Sequence, residues 1–190
     1  MKRDRAGADG FSLVEVLIVS VMAAGICLVL ASVIRMNLRG WQARENQMAV
    51  SYELRRGIHA MARELARTRS DQLEVPGVGA MPANGNFYNS LRFRIPQDVD
   101  GNGSVLDGAG AVEWSPNQIT YALGGSGGLE VRRTQGAAGS TLAYGVTGLR
   151  FRRQAATPLV VEMSLTVQKG AVSGGFVQQA DLSTRIRLRN

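Results

Sequence analysis

"GFSLVEVLIVSVMAAGICLVLASVIR", Gly10 to Arg35, is almost wholly apolar, and its reading decides how the rest of the chain is understood. Within it, Leu13 to Ile34 is a run of 22 residues whose only charge is Glu15. At about 1.5 Å per residue, a helix of this length crosses a hydrocarbon core roughly 30 Å thick, so the run is a transmembrane candidate. A secretory signal has an apolar core of only about 7–15 residues before its cleavage site, whereas this run is longer and continues directly into a helical pattern. Basic residues lie on both sides, Lys2, Arg3 and Arg5 before it and Arg35, Arg39 and Arg44 after it. The positive-inside rule therefore gives no orientation.

A carboxylate in such a span needs a reason. Ser12-Leu-Val-Glu15 has the spacing of a capping box, in which the serine covers an orphan amide and the glutamate reaches back to the first one. Glutamate at a helix start also meets the positive end of the helix dipole. Deeper in a bilayer an acidic side chain costs about 2.5–3.5 kcal/mol on insertion scales and seeks a cation. If the chain were cut before Phe11, the new amine would be one such cation.

Beyond Ile34 the periodicity changes without a break. Leu38, Trp41, Met48, Leu54, Ile58, Met61 and Leu65 recur mostly at three, four or seven, which is one face of an amphipathic helix. Gly25, Gly40 and Gly57 weaken a helix by up to about 1 kcal/mol each without ending it, and the first proline is Pro76. Phe11 to Arg69 therefore reads as one helix. Its first part, residues 11–34, is a transmembrane or assembly segment, and the rest belongs to an amphipathic stem segment, residues 35–75. Between Arg35 and Arg69 there are eight arginines against three glutamates, so this rod holds most of the formal charge of +7. That excess suits either a solvated helix face or electrostatic packing on acidic neighbours.

From Pro76 onward lie 18 of the 23 glycines and all five prolines, which marks a change of architecture. Residues 87–95, 118–123, 128–134, 146–153, 159–167 and 180–190 alternate with a period near two and read as strands. Gly124 to Gly128, GGSGG, is a hairpin connection and not a phosphate loop, because the lysine and hydroxyl residue of that motif are missing. The expectation is an α+β chain, with the long N-terminal helix packed by its stem stripe on an antiparallel sheet head, residues 76–190.

Gly10-Phe-Ser-Leu-Val-Glu-Val-Leu-Ile18, after a short basic leader, resembles the processing signature of type IV prepilins and of the pseudopilins of type II secretion. The resemblance implies a type IV pilin fold and a leader, residues 1–10, cut between Gly10 and Phe11 by a prepilin peptidase that methylates Phe11. It also implies that Glu15 pairs with the N-terminal amine of an adjacent subunit during assembly. The implied partners are other minor pilins, the major pilin, the inner-membrane assembly platform, membrane lipid and, at a pilus tip, an adhesin. The implied location is the inner membrane, with one span and the head in the periplasm, and then the pilus at the cell surface. Major pilins commonly close a C-terminal loop with a disulfide. The single cysteine, Cys27, lies in the apolar run and reads as a small buried hydrophobe. With the ending "TRIRLRN", similar to W-type minor pilins and J-type minor pseudopilins, this points to a minor pilin that primes assembly or sits near the tip. A minor pseudopilin is the alternative.

In the head, Asp98, Asp100 and Asn102 followed by Gly103 match the first half of a calcium loop. Position twelve is Ala109 where a glutamate is needed, and Asp107 is the substitute ligand. The competing reading is a polar turn, for which Asp, Asn and Gly are the usual residues. No cofactor is otherwise required. The only histidine, His59, falls in the stem, and without a solvent-facing cysteine the usual nucleophilic dyads, triads and zinc sites have no residues to build them, so no enzyme is expected. A DNA-binding subunit for DNA uptake is the alternative of another class, with Arg132-Arg133 and Arg152-Arg153 as head contacts to phosphate.

Overall fold

The computed structural model describes residues 12–169 and 177–189. Helix α1, Leu13–Leu65, runs unbroken for 53 residues. Ser12 starts it, because its Oγ accepts the amide of Glu15 at 3.2 Å and its carbonyl accepts the same amide at 3.0 Å. The chain divides into two compact units, Met1–Arg44 and Glu45–Asn190, with the boundary inside α1.

In the second unit α1 buries Val50, Leu54, Ile58, Met61 and Leu65, spaced by four, four, three and four, which draws one stripe down the helix. The described residues of this unit also form nine strands: β1 Leu73–Val75, β2 Gly79–Ala80, β3 Leu91–Phe93, β4 Ile119–Gly124, β5 Glu130–Gln135, β6 Ala138–Tyr144, β7 Val146–Gln154, β8 Thr157–Lys169 and β9 Gln178–Arg187. They form a six-stranded sheet in the order β2-β1-β3-β4-β5-β6 and a three-stranded sheet β7-β8-β9, all pairings antiparallel. Alternation along the strands turns Leu91, Phe93, Ile119, Tyr121 and Val131 inward from the first sheet and Leu149, Phe151, Val161, Met163 and Leu165 from the second. All of them join the helix stripe in one continuous core. Each fully buried side chain of this size contributes about 1.5–3 kcal/mol.

Two glycine features set the geometry. Gly57 faces the sheets so closely that a Cβ there would stand 3.0 Å from the Ala143 Cβ and 3.2 Å from Leu165 Cδ2. The β4–β5 connection turns on Gly125, Gly127 and Gly128, at φ 77°, 69° and 70°, a region that side chains with a Cβ avoid. This is the glycine-rich hairpin expected from the sequence.

The architecture is α+β, a long helix with an apolar N-terminal part and antiparallel sheets, compatible with a pilin-like fold. Three boundaries differ from the sequence reading. The helix stops at Leu65 and not at Arg69, since Thr68 is buried with its hydroxyl donating to the Arg94 carbonyl at 2.5 Å, and Arg69 is extended. The sheet starts at Leu73, inside the stretch assigned to the stem, and β6 was not expected at all. The apolar stripe holds from Val50 to Leu65, whereas Leu38, Trp41 and Met48 are 58%, 76% and 69% exposed. The last strand returns to the end of the helix: Ile186 and Leu188 enter the core, the Arg189 amide donates to the Thr68 carbonyl at 3.0 Å, and Arg69 and Arg189 form a parallel bridge.

Candidate functional site

The first part of α1, Leu13–Leu38, is long and apolar enough to cross a membrane, with a mean hydropathy of 2.8 and no buried residue. Its two serine hydroxyls are bonded within the helix itself. Ser20 Oγ donates to the Leu17 carbonyl at 2.9 Å and Ser32 Oγ to the Val29 carbonyl at 2.7 Å, as hydroxyls do where no water is at hand. Cys27, expected as a buried hydrophobe, is exposed like its neighbours. An apolar surface this continuous is far larger than soluble monomers leave to water.

Glu15 stands in the first turn of this helix. The serine half of the capping box is formed by Ser12, but among the described residues the Glu15 carboxylate has neither a hydrogen bond nor an ion pair. Within Leu13–Ile34 it is the one ionisable carboxylate or basic side chain, and such a group in a membrane span calls for a partner. The expected processing residues, Gly10 and Phe11, lie outside the described residues, as does the rest of the leader.

A polar junction fixes the second half of α1 to the six-stranded sheet. Tyr121 Oη donates to Glu64 Oε2 at 2.5 Å, and Arg133 Nε donates to both Glu64 oxygens at 3.0 and 2.9 Å. Arg133 Nη2 then reaches Gln135 Oε1 at 2.8 Å, and Gln135 Nε2 reaches Ser115 Oγ at 3.3 Å. Burial first, then the hydrogen bond to the Glu64 carboxylate and its charge, push the Tyr121 phenol far up from its ordinary value of 10.0, and Arg133 only partly opposes this. Nearer the boundary of the unit, Glu53 Oε2 accepts the Tyr144 amide at 3.1 Å.

The arginine pairs considered for DNA are largely occupied. Arg152 makes a bidentate pair with Glu162 at 2.8–2.9 Å and lies 4.6 Å over the Phe87 ring. Arg153 donates to the carbonyls of Met81 at 2.8 Å, Pro158 at 3.0 Å and Ser70 at 3.3 Å, and burial lowers its pKa. Arg133 belongs to the Glu64 junction, which leaves Arg132 as the freest of the four, 3.9 Å from Glu130.

The Asp98 loop gathers Asp98, Asp100 and Glu113, with carboxylate oxygens within 4.8 Å of one another. Glu113 was not expected there, because it arrives from the strand-like return of the loop, where its backbone pairs with Val105 and Gln97. Asp107 is not in this group. Its Oδ1 accepts the amides of Ala109 and Ala111 at 2.9 and 2.8 Å. The other oxygens also serve the loop: Asp98 accepts Gly101 and Gly103, Asp100 accepts the Asn102 amide, and Glu113 accepts Val99. Calcium takes six to eight converging oxygens at about 2.3–2.6 Å; the three carboxylates supply some of them, and the amides they accept are also those of a polar turn.

The geometry thus places the chemistry of the chain in its surfaces for packing, above all the exposed apolar helix and its lone carboxylate. No known protein family and no curated protein matches this chain.

Proposed function

We propose that this chain is a minor subunit of a type IV pilus, held in the inner membrane by one span before it is drawn into a filament. The observation that carries this reading is an apolar helix with no buried residue that opens on a carboxylate, Glu15, with no partner among the described residues. In a plain anchor that carboxylate meets only the positive end of the helix dipole, with no cation beside it. A filament subunit supplies one, because cleavage between Gly10 and Phe11 creates an amine close in sequence to Glu15. In a water-poor bundle the amine of one subunit and Glu15 of its neighbour neutralise each other, and each alone is costly. The sheet head, firmly fixed to the stem half of α1, fits a subunit that is moved as one piece.

The test is the mass of the mature N-terminal peptide, from protein produced with and without a prepilin peptidase. The expected result is a peptide starting at Phe11 with one added methyl, seen only with the peptidase. An uncut Met1, or a cut beyond Ile34, overturns the reading. Scoring pili and exported enzymes separately in a deletion strain then divides pilus from type II secretion; loss of pili with normal export is expected.

A further inference from the structure

The outward face of the second half of α1 carries charge that the fold does not neutralise. Arg55, Arg56, His59 and Arg63 are all exposed, and at 3.6 residues per turn they fall within one arc of about 100° along about 12 Å of helix; Arg67 is exposed in the turn just past Leu65. Neighbours on this stripe stand three or four positions apart, where like charges repel. Acids are close by in sequence but are spent inward, Glu53 on the Tyr144 amide and Glu64 on Tyr121 and Arg133. Among the described residues Arg55, Arg63 and Arg67 have no ion pair, and the one carboxylate near Arg56 is Glu53 at 3.9 Å. The same arc continues toward the N-terminus with Met48 and Tyr52, 69% and 64% exposed, and only beyond them reaches an acid, the exposed Glu45.

We infer that this face seats a helix of a partner subunit that carries carboxylates at three- and four-residue spacing and apolar residues opposite Met48 and Tyr52. This deepens the subunit reading above and rests on it for the partner's being another subunit. Pairing of this same face between two copies, parallel or antiparallel, brings arginine to arginine. A phosphate backbone would answer the arginines but offers nothing to Met48 and Tyr52. The choice of arginine over lysine also fits carboxylates, whose two oxygens match the planar guanidinium fork.

The probes are two synthetic helical peptides, one with a glutamate stripe and one with glutamine at the same positions, and a duplex DNA of about two turns. Binding to the full chain in detergent is read by fluorescence anisotropy. The glutamate peptide is expected to bind at least about tenfold tighter than the glutamine peptide, and to weaken about tenfold between low and high salt. The variant Arg55→Gln/Arg56→Gln/Arg63→Gln/Arg67→Gln loses that preference. A charge-matched control, Arg132→Gln/Arg150→Gln/Arg185→Gln/Arg187→Gln, keeps it. Equal binding of the two peptides, equal loss in the control, or DNA bound as tightly as the glutamate peptide overturns the inference. The assay needs no processing or filament, so a chain that selects the peptide but is never cut sinks the pilus reading alone. A chain that is cut but does not discriminate sinks this inference alone.

Discussion

Burial and the Glu64 carboxylate keep the Tyr121 hydroxyl protonated well above 10.0, where an ordinary tyrosine titrates. The sign of the consequence follows from proton counting. Above about pH 10 the unfolded chain loses this proton while the folded chain retains it, so the contribution is complete below that pH and falls as pH rises. The slope approaches about 1.4 kcal/mol per pH unit. Urea midpoints of the detergent-solubilised chain at pH 8 and pH 11 should differ accordingly. Tyr121→Phe should flatten this dependence while costing about 1 kcal/mol at neutral pH through the lost hydrogen bond. An unchanged slope in Tyr121→Phe would remove Tyr121 from the account. Glu15→Ala should leave cleavage intact and reduce the variant's share of sheared filaments by about tenfold, the cost of one unpaired amine in a dry bundle. At this scale the Ser12 cap on the Glu15 amide was legible, because capping is a local fact. The Glu64 junction was not, since Tyr121 and Arg133 lie 57 and 69 positions from Glu64 and no spacing rule joins them.

Within α1 two glycines show how packing decides the meaning of a residue. Gly40 has nothing within 4 Å of its would-be Cβ, so Gly40→Ala should stabilise the helix by up to about 1 kcal/mol. Gly57 stands against Ala143 and Leu165, so Gly57→Val should destabilise by about 1–3 kcal/mol through overpacking. Thermal unfolding of both variants reads the contrast, and a shift of the same sign in each would refute it. The sequence showed the helix and its three glycines but not which one touches a sheet. Strand β6 was missed for a related reason. As an edge strand it buries fully only Ala143, and Ala-Gly-Ser-Thr-Leu-Ala-Tyr need not alternate. The long strands β7 and β8 were legible because β8 buries every second side chain from Val161 to Val167, and β7 buries Leu149 and Phe151 in the same alternation after a bulge that follows Val146. Leu38, Trp41 and Met48 share the spacing of a core stripe yet stay exposed, because periodicity reports a face and not what covers it.

For the molecule as a whole, the meeting of Arg189 with Thr68 and of Leu188 with the core sets an order in time. Chains are made from the N-terminus at about 5–20 residues per second, so the apolar helix leaves the ribosome on the order of ten seconds before β9 exists. The membrane part can be inserted during that interval, but the head cannot close, because its three-stranded sheet lacks an edge and Thr68 lacks its partner. Pairing across so much sequence is also slow in itself. A chain stopped before Gln178 should therefore still enter the membrane yet expose a head that is cut within minutes by a dilute protease under conditions that spare the full chain; a resistant head would refute this order. Subunits would then be selected by completion, and any machine that draws them from the membrane would find only finished chains holding a rigid head.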